Sequence, residues 1–490
     1  MPHVFRHVAL AGVLAATALP SAAVADTPRP PEPAARQVVL AHGQLKLRAA
    51  DFAAHCLPGT RRASALRLPL AMELRRTEGE PRVHGTSLTV TGEVAPAVGA
   101  RPGTLTWVGR VADVPGSSSH LTVEGACTPD PADDEVRGFV LTPGHKYLIG
   151  TDAEDRARTG VVDVDPDAVP APAPAPLDLP RVIPPLPDRP RSVPPVAKPG
   201  ARAVIDVAVG YTRGALRGLA TGEGSGTPSR YWRPRRVEDE IRTTVDRMNE
   251  ALAVSGVNAE VRLVRTFAVP ASAGVEDAGA VLEQMDRGTG TIGRLARRVR
   301  EESGADLVSV WTNVTKGSGT YTAGQGDLPT NPDGSFRAPA ARDTEQSAFS
   351  SIDVFAAIDG EPGFAHELGH NLGLMHDERT MRDQLEEVAR ENGMSVEELR
   401  ERLNIPPLPG GQGYITPDAR FFTTMAYKIT CEPYAERIGA PEPTCQYTNT
   451  YSNPRLTADG TALGEEGSAD AAHALDLTVG EVSAYRASRT

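Results

Sequence analysis

The chain has 490 residues and a formal net charge of −12, with 51 Lys and Arg against 63 Asp and Glu. That length exceeds one ordinary domain and allows about three units. The acidic balance argues against nucleic acid as a partner.

At the N-terminus, Arg6 and His7 precede an apolar run from Val8 to Leu19, and Ala23-Val24-Ala25 offers a small-residue cleavage site. This is the pattern of a secretory signal over residues 1–25, with a mature chain beginning near Asp26. The run is shorter than the roughly 20 residues of a spanning helix. No later segment is long enough either, so the expectation is a secreted, extracellular protein with no membrane partner.

Residues 26–160 alternate short β-like runs with turns, among them Thr104-Leu105-Thr106-Trp107, Leu121-Thr122-Val123, Phe139-Val140-Leu141 and Tyr147-Leu148-Ile149. They read as a small β-rich domain without catalytic groupings. Residues 161–202 form a linker whose tract from Val169 to Lys198 is proline-rich. Such a tract forms neither helix nor sheet ladders and behaves as an extended, solvated spacer.

From residue 203 to 490 the pattern becomes alternating strands and helices. Val204 to Val209 is a buried strand candidate, and Val237, Ile241, Val245, Met248 and Leu252 mark the apolar face of a helix ended by Ser255-Gly256. Val261, Leu263 and Phe267 predict a second strand, Ile292 to Val299 a second helix, and Asp306 to Trp311 a third strand. The segments Gly317 to Tyr321 and Phe349 to Phe355 lie just before the run that begins at His366, and composition alone reads them as solvent loops.

The run His366-Glu367-Leu368-Gly369-His370-Asn371-Leu372-Gly373-Leu374-Met375-His376-Asp377 carries the chemistry. His366 and His370 lie four apart, so on a helix their rings share a face and can share one cation, with Glu367 beside them. Gly373 can take the left-handed conformation that ends a helix, and the chain then turns back to deliver His376. Three protein ligands leave a fourth position for water, which is what distinguishes a catalytic zinc from a structural one. One Zn2+ is therefore expected, on His366, His370 and His376, and calcium binding is not readable from these residues. The other eight histidines, His120 among them, show no such spacing and read as ordinary.

Between Glu378 and Pro406 lies a charged, helical insert in which Ser395 and Glu398 form a capping box and Leu399 and Leu403 share a face. Four cysteines fall as two pairs, Cys56 with Cys127 and Cys431 with Cys445. An even count in an exported chain suggests two disulfides.

The long histidine motif, followed by Thr423-Thr424-Met425-Ala426-Tyr427 as a methionine turn, resembles the metzincin clan of zinc metalloproteases. Asp377 after the third histidine, with Tyr451-Ser452-Asn453-Pro454 and Val482 to Arg486, narrows the likeness to reprolysin-like and peptidyl-Asp metalloendopeptidases, secreted bacterial enzymes. The resemblance covers roughly the last 290 residues. It implies an α/β metzincin-like catalytic domain with a twisted mixed sheet and a zinc helix, acting on protein or peptide substrates; the oligomeric state is not readable, with a monomer as the default expectation. It also implies an edge strand at Gly317 to Tyr321 and Phe349 to Phe355, able to bind an extended peptide. It also implies Glu367 as general base and acid, Tyr427 as hydrogen-bond donor to the oxyanion, Met425 packed beneath the histidines, and Asp377 accepting hydrogen bonds near the turn. The pattern Gly138 to Leu141 followed by Gly144 to Ile149 is similar to propeptides of reprolysin-like enzymes, which implies that residues 26–160 are a propeptide domain; the alternative is an independent binding module. In some metzincin proforms one cysteine ligates the zinc, an alternative to the Cys56–Cys127 disulfide. The insert at 378–406 departs from the family pattern. The competing function is a secreted zinc-binding or adhesion module without turnover, in which the general base would be lost; Glu367 is present.

Overall fold

The computed structural model describes residues 39–56, 64–76, 83–96, 103–114, 117–128, 134–151, 158–165, 174, 179–180, 183–186, 202–222, 235–314, 322–341, 343–358 and 363–489. All of these belong to one compact unit, 37–490. The signal-peptide segment, most of the proline-rich tract and Gly317 to Tyr321 lie outside the described residues.

The β-rich region closes on itself. Strands β1 (Val39–Leu45), β2 (Ser64–Arg76), β3 (Val83–Pro96), β4 (Leu105–Val111), β5 (Ser118–Glu124), β6 (Glu135–Thr142), β7 (His145–Thr151) and β8 (Thr159–Val164) form a closed barrel in sequence order. Every neighbouring pair is antiparallel, and β8 returns to pair with β1. Closure removes the exposed edges that an open β-sheet would offer for aggregation. Leu70, Met72, Leu74, Trp107 and Leu121 fill the interior, with Phe52 edge-on to Trp107 at 5.5 Å. Cys56 and Cys127 are bonded to each other. This pairing leaves no thiolate in the region to ligate a metal.

The second region is a five-stranded mixed sheet flanked by helices. In chain order it runs β9 (Ala203–Tyr211), α1 (Arg213–Thr221), α2 (Val237–Val254), β10 (Ala259–Ala268), α3 (Ala278–Arg287), α4 (Gly290–Ser303), β11 (Leu307–Thr312), β12 (Gly324–Gly326), β13 (Phe349–Asp353), α5 (Val354–Ile358) and α6 (Gly363–Asn371). The sheet order is β10-β9-β11-β13-β12, parallel except for β12. The parallel strands β9, β11 and β13 are nearly continuous apolar or small-residue runs because helices cover them. The expected edge strand needs a correction. Phe349 to Asp353 is interior, and the terminal strand is the short, glycine-bounded β12, which carries too few side chains to announce itself.

After α6 come α7 (Glu378–Glu391), α8 (Val396–Leu403), α9 (Lys428–Ile438) and α10 (Ala471–Val482). The insert is thus a pair of helices, and Ser395 accepts from the Glu398 amide as a cap. Met381, Leu385, Leu399 and Leu403 pack with Phe336 and Met375 into a separate small core. Leu179 and Ile183 of the proline-rich tract pack against that core, and the Pro184 carbonyl accepts from Arg402 Nη1 at 3.4 Å. At these residues the tract is not a free spacer, because its scattered aliphatic side chains found an apolar surface to cover.

The barrel rests on α2. Thr122 Oγ1 and Thr243 Oγ1 are 3.2 Å apart, the Arg247 guanidinium lies 5.1 Å from the Phe139 ring centre, and His120 faces Glu250 at 3.7 Å. This explains why an apparently amphipathic helix buries Asp239, Glu240, Thr243, Asp246 and Arg247 as well as its apolar stripe.

Candidate metal centre

Helix α6 is short, and its two histidines and the one beyond it are almost sealed: His366, His370 and His376 are 2%, 4% and 1% exposed. Gly373 has φ of +92° and its amide bonds back to the His370 carbonyl, so the chain leaves the helix by a left-handed turn. A side chain there would also strike Pro339 and Leu408. The turn carries Leu374 and Met375 past the helix end and brings His376 back towards the first two rings.

The three imidazoles converge, with candidate ligand atoms all within 4.8 Å of one another. Each Nδ1 meets a carbonyl-type oxygen. His366 Nδ1 donates to Thr424 O at 2.8 Å, His370 Nδ1 to Leu374 O at 2.8 Å, and His376 Nδ1 to Gln384 Oε1 at 3.0 Å. A carbonyl only accepts, so each ring must carry its proton on Nδ1 and direct the Nε2 lone pair inward. His370 Nε2 and His376 Nε2 stand 3.1 Å apart, and Tyr427 Oη lies 3.0 Å from His366 Nε2 and 3.2 Å from His376 Nε2. One hydroxyl proton cannot serve three converging lone pairs. A cation can, and three neutral imidazoles suit zinc.

Electrostatics agree with that donor set. Burial holds His366 well below the usual histidine range, helped by the neighbouring His370 and His376. Burial likewise brings His370 to about 4, and burial together with His370 brings His376 to about 3. Neutral rings are the ligating form.

Glu367 is 4% exposed, and burial pushes its carboxyl well above the usual range. Its Oε2 is buried without a hydrogen-bond partner. Strand β12 lies directly on it: a side chain at Gly324 would meet Glu367 Oε1 at 2.4 Å, and one at Gly326 would meet the Glu367 carbonyl at 2.2 Å. These two glycines let the edge strand approach the histidine helix, a role composition alone did not reveal.

Met425 packs under the helix, where a side chain on Gly369 would meet its sulfur at 2.5 Å. Its carbonyl accepts from the Asp377 amide at 3.1 Å, tying the methionine turn to the third histidine. Asp377 caps α7, accepting from the Arg379 and Thr380 amides and from Thr380 Oγ1. Burial raises its carboxyl to about 6. Cys431 and Cys445 are bonded, closing the segment that follows the turn. Gln384 escaped the sequence reading, since a glutamine on a charged helix carries no signal of its neighbour eight residues back.

Residues 238–377 match the reprolysin-like metallopeptidase family M12B. The matched segment runs from α2 to the residue after His376 and stops where the insert begins. The chain is also 27% identical over 295 residues to a peptidyl-Asp metalloendopeptidase of Pseudomonas aeruginosa. That alignment covers 59% of this chain but only 41% of the relative. Among solved structures, a metalloproteinase-II from Bacteroides fragilis aligns at 10% identity, covering 64% of this chain and 82% of that one with a TM-score of 0.30. A chaperone–substrate complex aligns at 16% identity over 71% of this chain and 39% of that one, with a TM-score of 0.35. The likeness drawn from the histidine motif thus has a counterpart in the family match, which extends it back to α2: residues 238–377 of the α/β region are similar to reprolysin-like metallopeptidases.

Proposed function

We propose that this protein is an exported zinc-dependent endopeptidase made as a latent precursor, with residues 26–160 as its propeptide domain, 161–202 as the linker and 203–490 as the peptidase. The observation that carries the reading is the convergence of three Nδ1-anchored imidazoles beside a carboxylate with an unpartnered oxygen. His366, His370 and His376 would hold the ion, which supplies Lewis acidity and an acidified water at neutral pH. Glu367 takes the water proton and returns it to the leaving amine. The raised affinity of its buried carboxyl for a proton suits a group that must keep one between the two transfers. Tyr427, whose hydroxyl lies among the Nε2 atoms, donates to the developing oxyanion. The outer edge of β12 aligns an extended peptide by main-chain pairing.

Latency is supported by the barrel packed on α2 through Thr122, Phe139 and His120, and by the likeness of residues 138–149 to propeptides. Both disulfides accord with an oxidising compartment, and among the described residues no helix is long and apolar enough to cross a membrane. The name of the Pseudomonas relative points to cleavage beside aspartate, which mapping of products from a mixed peptide library would test.

The deciding experiment is Glu367→Ala in processed protein. Zinc content should stay at about one ion per chain while peptidase activity falls by about 10² to 10⁴-fold, because the carboxylate handles protons and does not hold the metal. Unaltered hydrolysis would remove Glu367 from the mechanism. A processed wild-type chain that binds zinc and cleaves nothing would favour the binding module.

A further inference from the structure

The first two histidines are held by main-chain carbonyls close to the active-site helix: Leu374, in the turn that leaves α6, for His370, and Thr424, beside Met425, for His366. The third is held differently. We propose that Gln384, carried by the inserted helix α7, is a positioning residue for His376: its carboxamide oxygen fixes the Nδ1-protonated form and the ring plane that present Nε2 to the cation. This inference rests on the zinc peptidase reading.

The geometry that supports it begins with the cap. Asp377 follows His376 directly and starts α7, so the ligand and the helix that orients it are joined by a single rigid turn. Gln384 then lies one turn beyond Thr380 on the helix, and its oxygen returns to within 3.0 Å of His376 Nδ1. The helix is anchored by Met381 and Leu385, both fully buried, and Arg400 of α8 pairs with Glu378 at 2.6 Å. An acceptor on so fixed a support can orient a ring.

The carboxamide has two faces of opposite meaning. With Oε1 towards the ring, His376 carries its proton on Nδ1 and Nε2 is free to ligate; with the amide nitrogen there, the proton would sit on Nε2 and block the ion. Ligation therefore selects the orientation present in the structure. Without the acceptor, a ring that is 1% exposed would hold an unsatisfied N–H or turn to another tautomer. The insert that departs from the family pattern thereby gains a function at the metal.

The test uses the full chain and zinc alone, titrated against a chromophoric chelator, with Gln384→Ala, Gln384→Met and Gln384→Glu. Alanine and methionine should weaken zinc binding by about 10 to 100-fold, the usual loss when a ligand's hydrogen-bond partner is removed. Glutamate keeps an acceptor at the same reach and should bind zinc at least as tightly as wild type. Thermal unfolding of the metal-free proteins should match that of wild type for methionine, which keeps the length and bulk. Equal zinc affinity in all four proteins would overturn the proposal, and so would equal weakening by all three substitutions, since that pattern reports packing and not an acceptor. If wild type itself takes up no zinc, the peptidase reading falls and this inference falls with it.

Discussion

The barrel and the α/β region bury polar groups to opposite ends. Inside the barrel the core is apolar, and its buried His120, Thr122, Glu124 and Arg137 lie at or near the contact with α2. In the α/β region one cluster of buried polar groups lies at the centre, as three imidazoles and a carboxylate. Burying a polar group costs about 1 to 3 kcal/mol unless a partner offsets it. At the barrel contact Arg137 Nη2 donates to Glu124 Oε1 at 3.0 Å, with Glu135, Glu240 and Asp239 raising its affinity for its proton, although Arg137 Nε and both ring nitrogens of His120 lie buried without a hydrogen-bond partner. At the centre the Glu367 Oε2 also has none, and its neighbours are three converging imidazoles. An ion-paired contact holds two surfaces together; converging lone pairs beside a carboxylate suit chemistry.

The largest expected effect separates these roles. Cutting the chain within the proline-rich tract and removing the barrel should raise peptidase activity, by roughly 100-fold if the open form is about 1% of the uncut population. Adding the isolated barrel back should suppress it. The cut must also release Leu179 and Ile183 from the small core beside Met375, so processing upstream of Leu179 should activate less than processing downstream of Leu186. Equal activity of cut and uncut chains would make the barrel a folding aid or a separate binding module.

A middle-sized effect concerns stability and leaves chemistry alone. Arg137→Ala removes the buried guanidinium paired with Glu124, and removing one partner of a buried pair costs about 3 kcal/mol. Urea unfolding of the uncut chain should show that loss, while kcat and KM of the processed peptidase stay unchanged. Unchanged unfolding would mean that the barrel contact is held by shape and not by charge.

The same contrast explains what was legible beforehand. The histidine spacing, Gly373 and the methionine turn are short-range patterns, so His366, His370, His376 and Met425 are legible from sequence, and the structure brings them together. The strands of the barrel were visible as β-like runs, but closure depends on β1 meeting β8 more than a hundred residues away, and no short-range pattern encodes it. Gln384 and β12 were hidden for a similar reason: their meaning lies in what they touch. A glutamine on an acidic helix and two glycines in a loop look like surface until His376 and Glu367 are placed beside them. The spacing of His120 marks it as ordinary, yet it projects from β5 into the buried contact with α2.

That histidine yields the smallest and most specific effect, a pH dependence of the barrel contact. Burial lowers the His120 affinity for a proton, and Arg247 adds to this, against opposing contributions from Glu250 and Glu240. Phe139 stacks over the ring from β6 and brings no charge. A histidine whose folded-state value lies below its ordinary 6.5 supports the folded state fully above that pH. The support is lost as pH falls below 6.5 towards the lowered value, because the unfolded chain takes up the proton first. Asp306 and Asp377, both raised to about 6 by burial, run with the opposite sign, so the comparison must be between two proteins that share them. Urea unfolding of wild type and His120→Gln from pH 8 to pH 5 cancels those groups. The wild-type chain should lose more stability than the variant over the acidic part of that range, and parallel curves would show that His120 is not coupled to the barrel contact.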